Sequence, residues 1–126
     1  MKQQEILPKL VEDESGNGIG IYIPVINKTI YFRDCPEKRM SWRDAMAYAE
    51  SIGRSLPSLR ECYILMYFKD EINAIAKKAG YPDFLSGPAW SSTEYNGTYA
   101  WYLYFPSGYV YIYGKSFAFT VRPVAA

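Results

Sequence analysis

The chain contains no histidine, which removes Ser-His-Asp and Cys-His catalysis and any zinc site built on imidazole. The two cysteines, Cys35 and Cys62, have neither a CxxC spacing nor a metal-ligand spacing. Cys62 falls in a helical run where a small apolar residue would serve, so it reads as a buried free thiol, with a disulfide as the alternative. Asp13-Glu14-Ser15-Gly16-Asn17-Gly18 imitates the first half of a calcium loop. The last ligand of such a loop would be Pro24, where a bidentate glutamate is needed, so the segment reads as a turn. Gly16, Gly18 and Gly20 fail as a dinucleotide fingerprint because no strand precedes them and no helix follows. Ser91-Ser92-Thr93-Glu94 is rich in hydroxyls, which read as partners for backbone groups at a strand end. The carboxylates elsewhere form no close pair suited to general acid–base work. The expectation is a protein that is not an enzyme and that needs no metal and no cofactor.

The residues that invite a chemical reading are the tyrosines. Of thirteen in the chain, seven fall between Tyr95 and Tyr113. Trp101, Leu103 and Phe105 alternate with Tyr102 and Tyr104, and Val110 and Ile112 alternate with Tyr109, Tyr111 and Tyr113. Period-two patterning gives two strands with one apolar face and one tyrosine face. A second core layer would normally use Val, Leu and Ile, as the first does. A tyrosine surface mixed with Gly, Ser, Asn and Thr has the composition of an antibody-like recognition surface. The expected patch comprises Tyr102, Tyr104, Tyr109, Tyr111 and Tyr113, joined by Tyr95, Asn96, Thr98 and Tyr99 from the preceding loop.

The elements that would hold this surface follow from periodicity. Residues 1–15 read as a polar lead-in. Ile19, Ile21, Ile23 and Val25 alternate with Gly20, Tyr22 and Pro24, giving a strand that Pro24 assigns to an edge. Asn27-Lys28 turns the chain into a second strand, Thr29 to Phe32. Ser41 with Asp44 opens a helix that Gly53 closes, and Ser58 with Glu61 forms a capping box for a second. A third helix begins near Asp70 and stops at Gly80. After Ala89 the period returns to two, with a final strand from about Phe117 to Val124. Two strands, two to three helices and then an antiparallel sheet make an α+β domain. Trp42, Met46, Leu59, Cys62, Ile72, Ile75, Trp90, Trp101, Leu103, Phe105, Val110 and Ile112 are the expected core.

Composition agrees with one domain spanning residues 1–126. Apolar residues at 49% and charged residues at 21% permit a packed core. A net charge of +1 argues against a nucleic-acid partner, which usually draws a strong basic excess. No apolar run is long enough to enter a membrane. The N-terminus, Met1-Lys2-Gln3-Gln4-Glu5, lacks the pattern of a signal peptide, which leaves a virion-associated or a cytoplasmic location open.

Leu56-Pro57-Ser58-Leu59-Arg60-Glu61, Glu71-Ile72-Asn73-Ala74, Trp90-Ser91-Ser92-Thr93-Glu94-Tyr95, Ala100-Trp101 and Val121-Arg122-Pro123-Val124 resemble a bacterial C-type-lectin-like family. That family includes the variable proteins of diversity-generating retroelements, among them phage tropism determinants. The resemblance is strongest over residues 40–126. It implies a single C-type-lectin-like domain that binds a protein or carbohydrate ligand on a cell surface through residues near its C-terminus. Glu-Pro-Asn, Gln-Pro-Asp and Trp-Asn-Asp are all absent, so no calcium-dependent sugar site is expected. The alternative reading is an assembly subunit whose tyrosine face is a protein interface.

The resemblance also makes a prediction about codons. Retroelements of this type randomise adenines, and AAC becomes NNC, which never encodes Lys, Gln, Glu, Met or Trp. Between Tyr95 and Thr120 only Trp101 and Lys115 fall outside the reachable set, and they are expected to be scaffold residues. Gly114, Ser116, Phe117 and Phe119 join the outward tyrosines as expected variable, ligand-contacting positions.

Overall fold

The computed structural model describes residues 6–126; the expectation drawn from Met1 to Glu5 lies outside the described residues. Three strands, β1 (Lys9–Asp13), β2 (Gly18–Ile23) and β3 (Lys28–Tyr31), form an antiparallel sheet in that order. Two sequence expectations change here. Part of the polar lead-in is strand β1, which makes β2 the central strand and not an edge. Pro24 costs the ladder nothing because it lies past the end of β2, in the turn that Asn27 closes at φ 52°. The calcium-like segment is the β1–β2 turn. The Asp13 carboxylate accepts from the Ser15 backbone N–H at 2.8 Å and from its hydroxyl at 2.6 Å, and also from the Asn17 amide. These bonds, the Ser15 hydroxyl first, hold Asp13 well below the usual carboxylate range.

The helices start and stop where local chemistry dictates. In α1 (Trp42–Ser51) the Ser41 hydroxyl accepts from the Asp44 N–H. In α2 (Leu59–Tyr67) both arms of the capping box close: Ser58 Oγ accepts from Glu61 N at 3.2 Å, and Glu61 Oε1 accepts from Ser58 N at 3.0 Å. α3 (Lys69–Lys78) carries Asp70 and Glu71 in its first turn and Lys77 and Lys78 in its last, matching its dipole. Gly53 and Gly80 end α1 and α3 at φ 73° and 96°, a region that residues with a Cβ avoid. No helix among the described residues is long and apolar enough to cross a membrane.

The second sheet is antiparallel, with β4 (Pro88–Glu94), β5 (Tyr99–Tyr104) and β6 (Tyr109–Gly114) in that order. The expected strand from Phe117 to Val124 does not form. Its backbone pairs in single bridges with four separate segments: Phe119 with Met40, Thr120 with Ala89, Val124 with Ser55, and Ala125 with Thr29. A segment whose partners keep changing has no ladder to extend.

This sheet lies between two cores. One packs Ile21, Ile23 and Ile30 against Cys62, Leu65 and Ile72 of the helices, with Leu103 and Phe105 beneath. The other packs Trp42, Ala45 and Ala49 of α1 against Trp90, Ala100, Tyr102, Phe119 and Val121. Of the expected core, Trp42, Cys62, Ile72, Trp90, Leu103 and Phe105 are buried. Met46, Leu59, Ile75, Trp101, Val110 and Ile112 are only partly so.

Candidate ligand-binding surface

The β5–β6 register sets Tyr104 opposite Tyr109, Tyr102 opposite Tyr111 and Ala100 opposite Tyr113. Directly opposed residues share a face, so five of the six strand tyrosines, Tyr102, Tyr104, Tyr109, Tyr111 and Tyr113, stand on one side of the sheet. That side is not uniformly open. Tyr102 is 8% exposed, because Trp90, Phe119 and Tyr113 cover it with ring centroids at 6.4, 5.0 and 5.6 Å. Burial pushes its phenol upward from the ordinary tyrosine value, with nearby tyrosines adding to the shift. Tyr104 is half-buried and leans on Tyr109 at 5.9 Å. On β6, at the rim of the second core, where Tyr113 still packs on Phe119 at 5.4 Å, Tyr109, Tyr111 and Tyr113 are 50%, 60% and 41% exposed. The expectation of an outward Tyr102 is therefore corrected: it sits on a central strand covered on both sides. Phe119 is likewise buried, as part of the second core.

The loop residues fall elsewhere. The Asn96 side-chain oxygen accepts from the N–H groups of Thr98 at 2.8 Å and Tyr99 at 2.9 Å, folding the β4–β5 connection into a tight turn. Tyr99 and Trp101 alternate with Ala100 and Tyr102, so they face the opposite side of the sheet. Tyr95 packs edge-on against Trp101 at 6.0 Å. Trp101 is therefore only partly buried, beside a loop ring, and not the fully buried residue that the alternation predicts. The one continuous patch foreseen from sequence becomes two aromatic groups on opposite faces of one sheet.

The two groups meet at a corner built around Lys115, which is 6% exposed. Its ammonium lies 4.5 Å from the Trp42 ring centre and pairs with the Glu94 carboxylate. Its N–H donates to the Thr98 carbonyl at 2.9 Å, and its own carbonyl accepts from Trp42 N at 2.9 Å. Lys115 thus has a scaffold position. Outside it opens a cleft of about 500 Å³ lined by Ser41, Arg43, Gly97, Thr98, Gly114 and Ser116. Thr98, Gly114 and Ser116 are expected site residues. Ser41 and Arg43 come from the start of α1, and no local pattern could have linked them to positions so distant in sequence. Phe117, exposed, packs on Tyr113 at 4.7 Å and extends the β6 group.

Reactive groups elsewhere are committed to structure. Ser91, buried, donates to the Trp101 carbonyl at 2.7 Å and accepts from Thr93 N, while Thr93 Oγ1 accepts from Leu59 N at 2.9 Å. Both cysteines are free thiols. Burial pushes the Cys35 thiol up to about 12 and raises Cys62 as well, which disfavours the nucleophilic thiolate. Among the described residues no three His, Cys, Asp or Glu side chains lie close enough to hold a metal.

Residues 24–125 match the family described as the Lcl C-terminal domain. No curated protein matches the chain.

Proposed function

The chain belongs to the Lcl C-terminal domain family and has the α+β architecture of a single C-type-lectin-like domain, and we propose that it is a non-enzymatic recognition module. The observation that carries this reading is the exposed row Tyr109, Tyr111 and Tyr113 on a strand whose other face, through Val110, is anchored to the core. Exposed apolar patches on soluble domains mark interaction sites. Tyrosine supplies large amphipathic contact area at low entropic cost. The ligand is a protein or a carbohydrate on a cell surface. Nucleic acid and membrane insertion play no part in this reading.

Fluorescently labelled protein presented to bacterial cells tests it. Binding lost after protease treatment of the cells identifies a protein ligand, and binding lost after periodate oxidation identifies a carbohydrate. Absence of binding across a broad panel of strains contradicts the reading. The alternative, an assembly subunit that buries this face, predicts a stable oligomer in which the β6 tyrosines are shielded from iodination.

We further propose that the surface is diversified by a retroelement at Tyr95, Asn96, Thr98, Tyr99, Tyr109, Tyr111, Tyr113, Gly114, Ser116 and Phe117. Sequencing the locus decides this. A nearby reverse transcriptase and a repeat of the 3′ end differing almost only at adenines support it. TAT and TAC codons mixed freely at the tyrosines, with no such repeat, contradict it.

A further inference from the structure

Two three-stranded sheets have four outer edges, and three of them are protected. β1 carries Lys9, Glu12 and Asp13. β3 is closed by paired backbone bonds between Thr29 and Ala125, at 3.0 and 2.8 Å. β4 begins with Pro88, changes register between Trp90 and Glu94, and exchanges backbone bonds with Thr120. These are the usual devices that keep an edge from pairing with another chain. β6 has none of them. Tyr109-Val110-Tyr111-Ile112-Tyr113-Gly114 contains no charge and no proline. Its register with β5 is unbroken from Tyr99↔Gly114 to Tyr104↔Tyr109, and among the described residues no strand or bridge pairs with its outer side.

The strand also reads the same from both ends: aromatic, aliphatic, aromatic, aliphatic, aromatic. An isologous two-fold contact requires a self-complementary surface, in which residue i meets j and j meets i. Antiparallel pairing centred on Tyr111 meets that requirement. Tyr111 faces its own counterpart, Tyr109 faces Tyr113, and Val110 faces Ile112, each on the matching side of the sheet. No like charges meet, and aromatic cross-strand pairs stabilise such ladders.

We infer that β6 is a homodimerisation edge, joining two copies into one six-stranded antiparallel sheet across a two-fold axis at Tyr111. The pairing uses the backbone edge and leaves the ring faces in solvent, so it doubles the row of exposed tyrosines. It stands independently of any ligand.

Light scattering with wild type and two single variants, Tyr111→Lys and Tyr111→Glu, tests it. Wild type has twice the 14.5 kDa mass of the chain. Each variant alone is a folded monomer by circular dichroism, because two like charges then meet at the axis. An equal mixture of the two variants regains the dimer mass, because lysine now faces glutamate. Tyr95→Lys, on the loop, leaves the dimer intact. A monomeric wild type at its highest soluble concentration overturns the inference. So does a Tyr111→Lys protein that stays dimeric, or a mixture that stays monomeric.

Discussion

The Lys115 ammonium is held between the Trp42 ring and the Glu94 carboxylate. The hydrogen bond and charge of Lys115 lower the Glu94 pKa below its ordinary 4.5. A depressed carboxylate contributes stability that is full above its unfolded pKa and is lost as pH falls through the folded value. Wild type should therefore lose melting temperature between roughly pH 5 and pH 3 more steeply than Glu94→Gln does, as read by thermal melts across that range. Equal slopes would remove the pair from the account. Tyr102 and Tyr111 make a second residue-scale test, since they are cross-strand neighbours on one face with opposite burial. Tyr102→Ala should cost about 3–5 kcal/mol, the usual range for a buried aromatic. Tyr111→Ser should stay within about 0.5 kcal/mol, as surface changes do. Urea denaturation of both variants separates the two sides of the tyrosine row.

Helix starts were legible in the sequence because capping is local. Ser58 and Glu61 lie three positions apart and need nothing else to find each other. Ser58→Ala should cost about 1 kcal/mol by denaturant melt. Strand β1 was not legible, because an edge strand with Lys9, Glu12 and Asp13 shows no apolar alternation; its pairing with β2 defines it. The tyrosine strands were half legible. Period two states which residues share a face, and the five tyrosines do. It does not state what covers that face. Coverage of β5 comes from Trp90 and Phe119, and openness of β6 comes from its place at the sheet edge. The segment from Phe117 to Val124 misled for the converse reason. It has alternation, and Val121 and Val124 are buried, but no continuous partner runs beside it.

That last segment does the work of assembly for the whole molecule. From Phe119 to Ala125 it bonds in turn to the approach to α1, to β4, to the approach to α2 and to β3, tying both sheets to the helices. A chain ending at Ala118 should lose its cooperative thermal transition, seen by circular dichroism. A sharp melt near the wild-type temperature would show that the two cores hold without the strap. The β1–β2 hairpin lies wholly before the stretch matched by the family, yet Ile21 and Ile23 are fully buried in the first core. None of the β6 tyrosines belongs to either buried core, and that separation is what a recognition face requires. The direct test is flow cytometry of labelled wild type beside a triple variant carrying Tyr109→Ser, Tyr111→Ser and Tyr113→Ser, on a strain that the wild type stains. The account predicts that staining is lost while the variant remains folded by circular dichroism. Undiminished staining by the folded variant would contradict it.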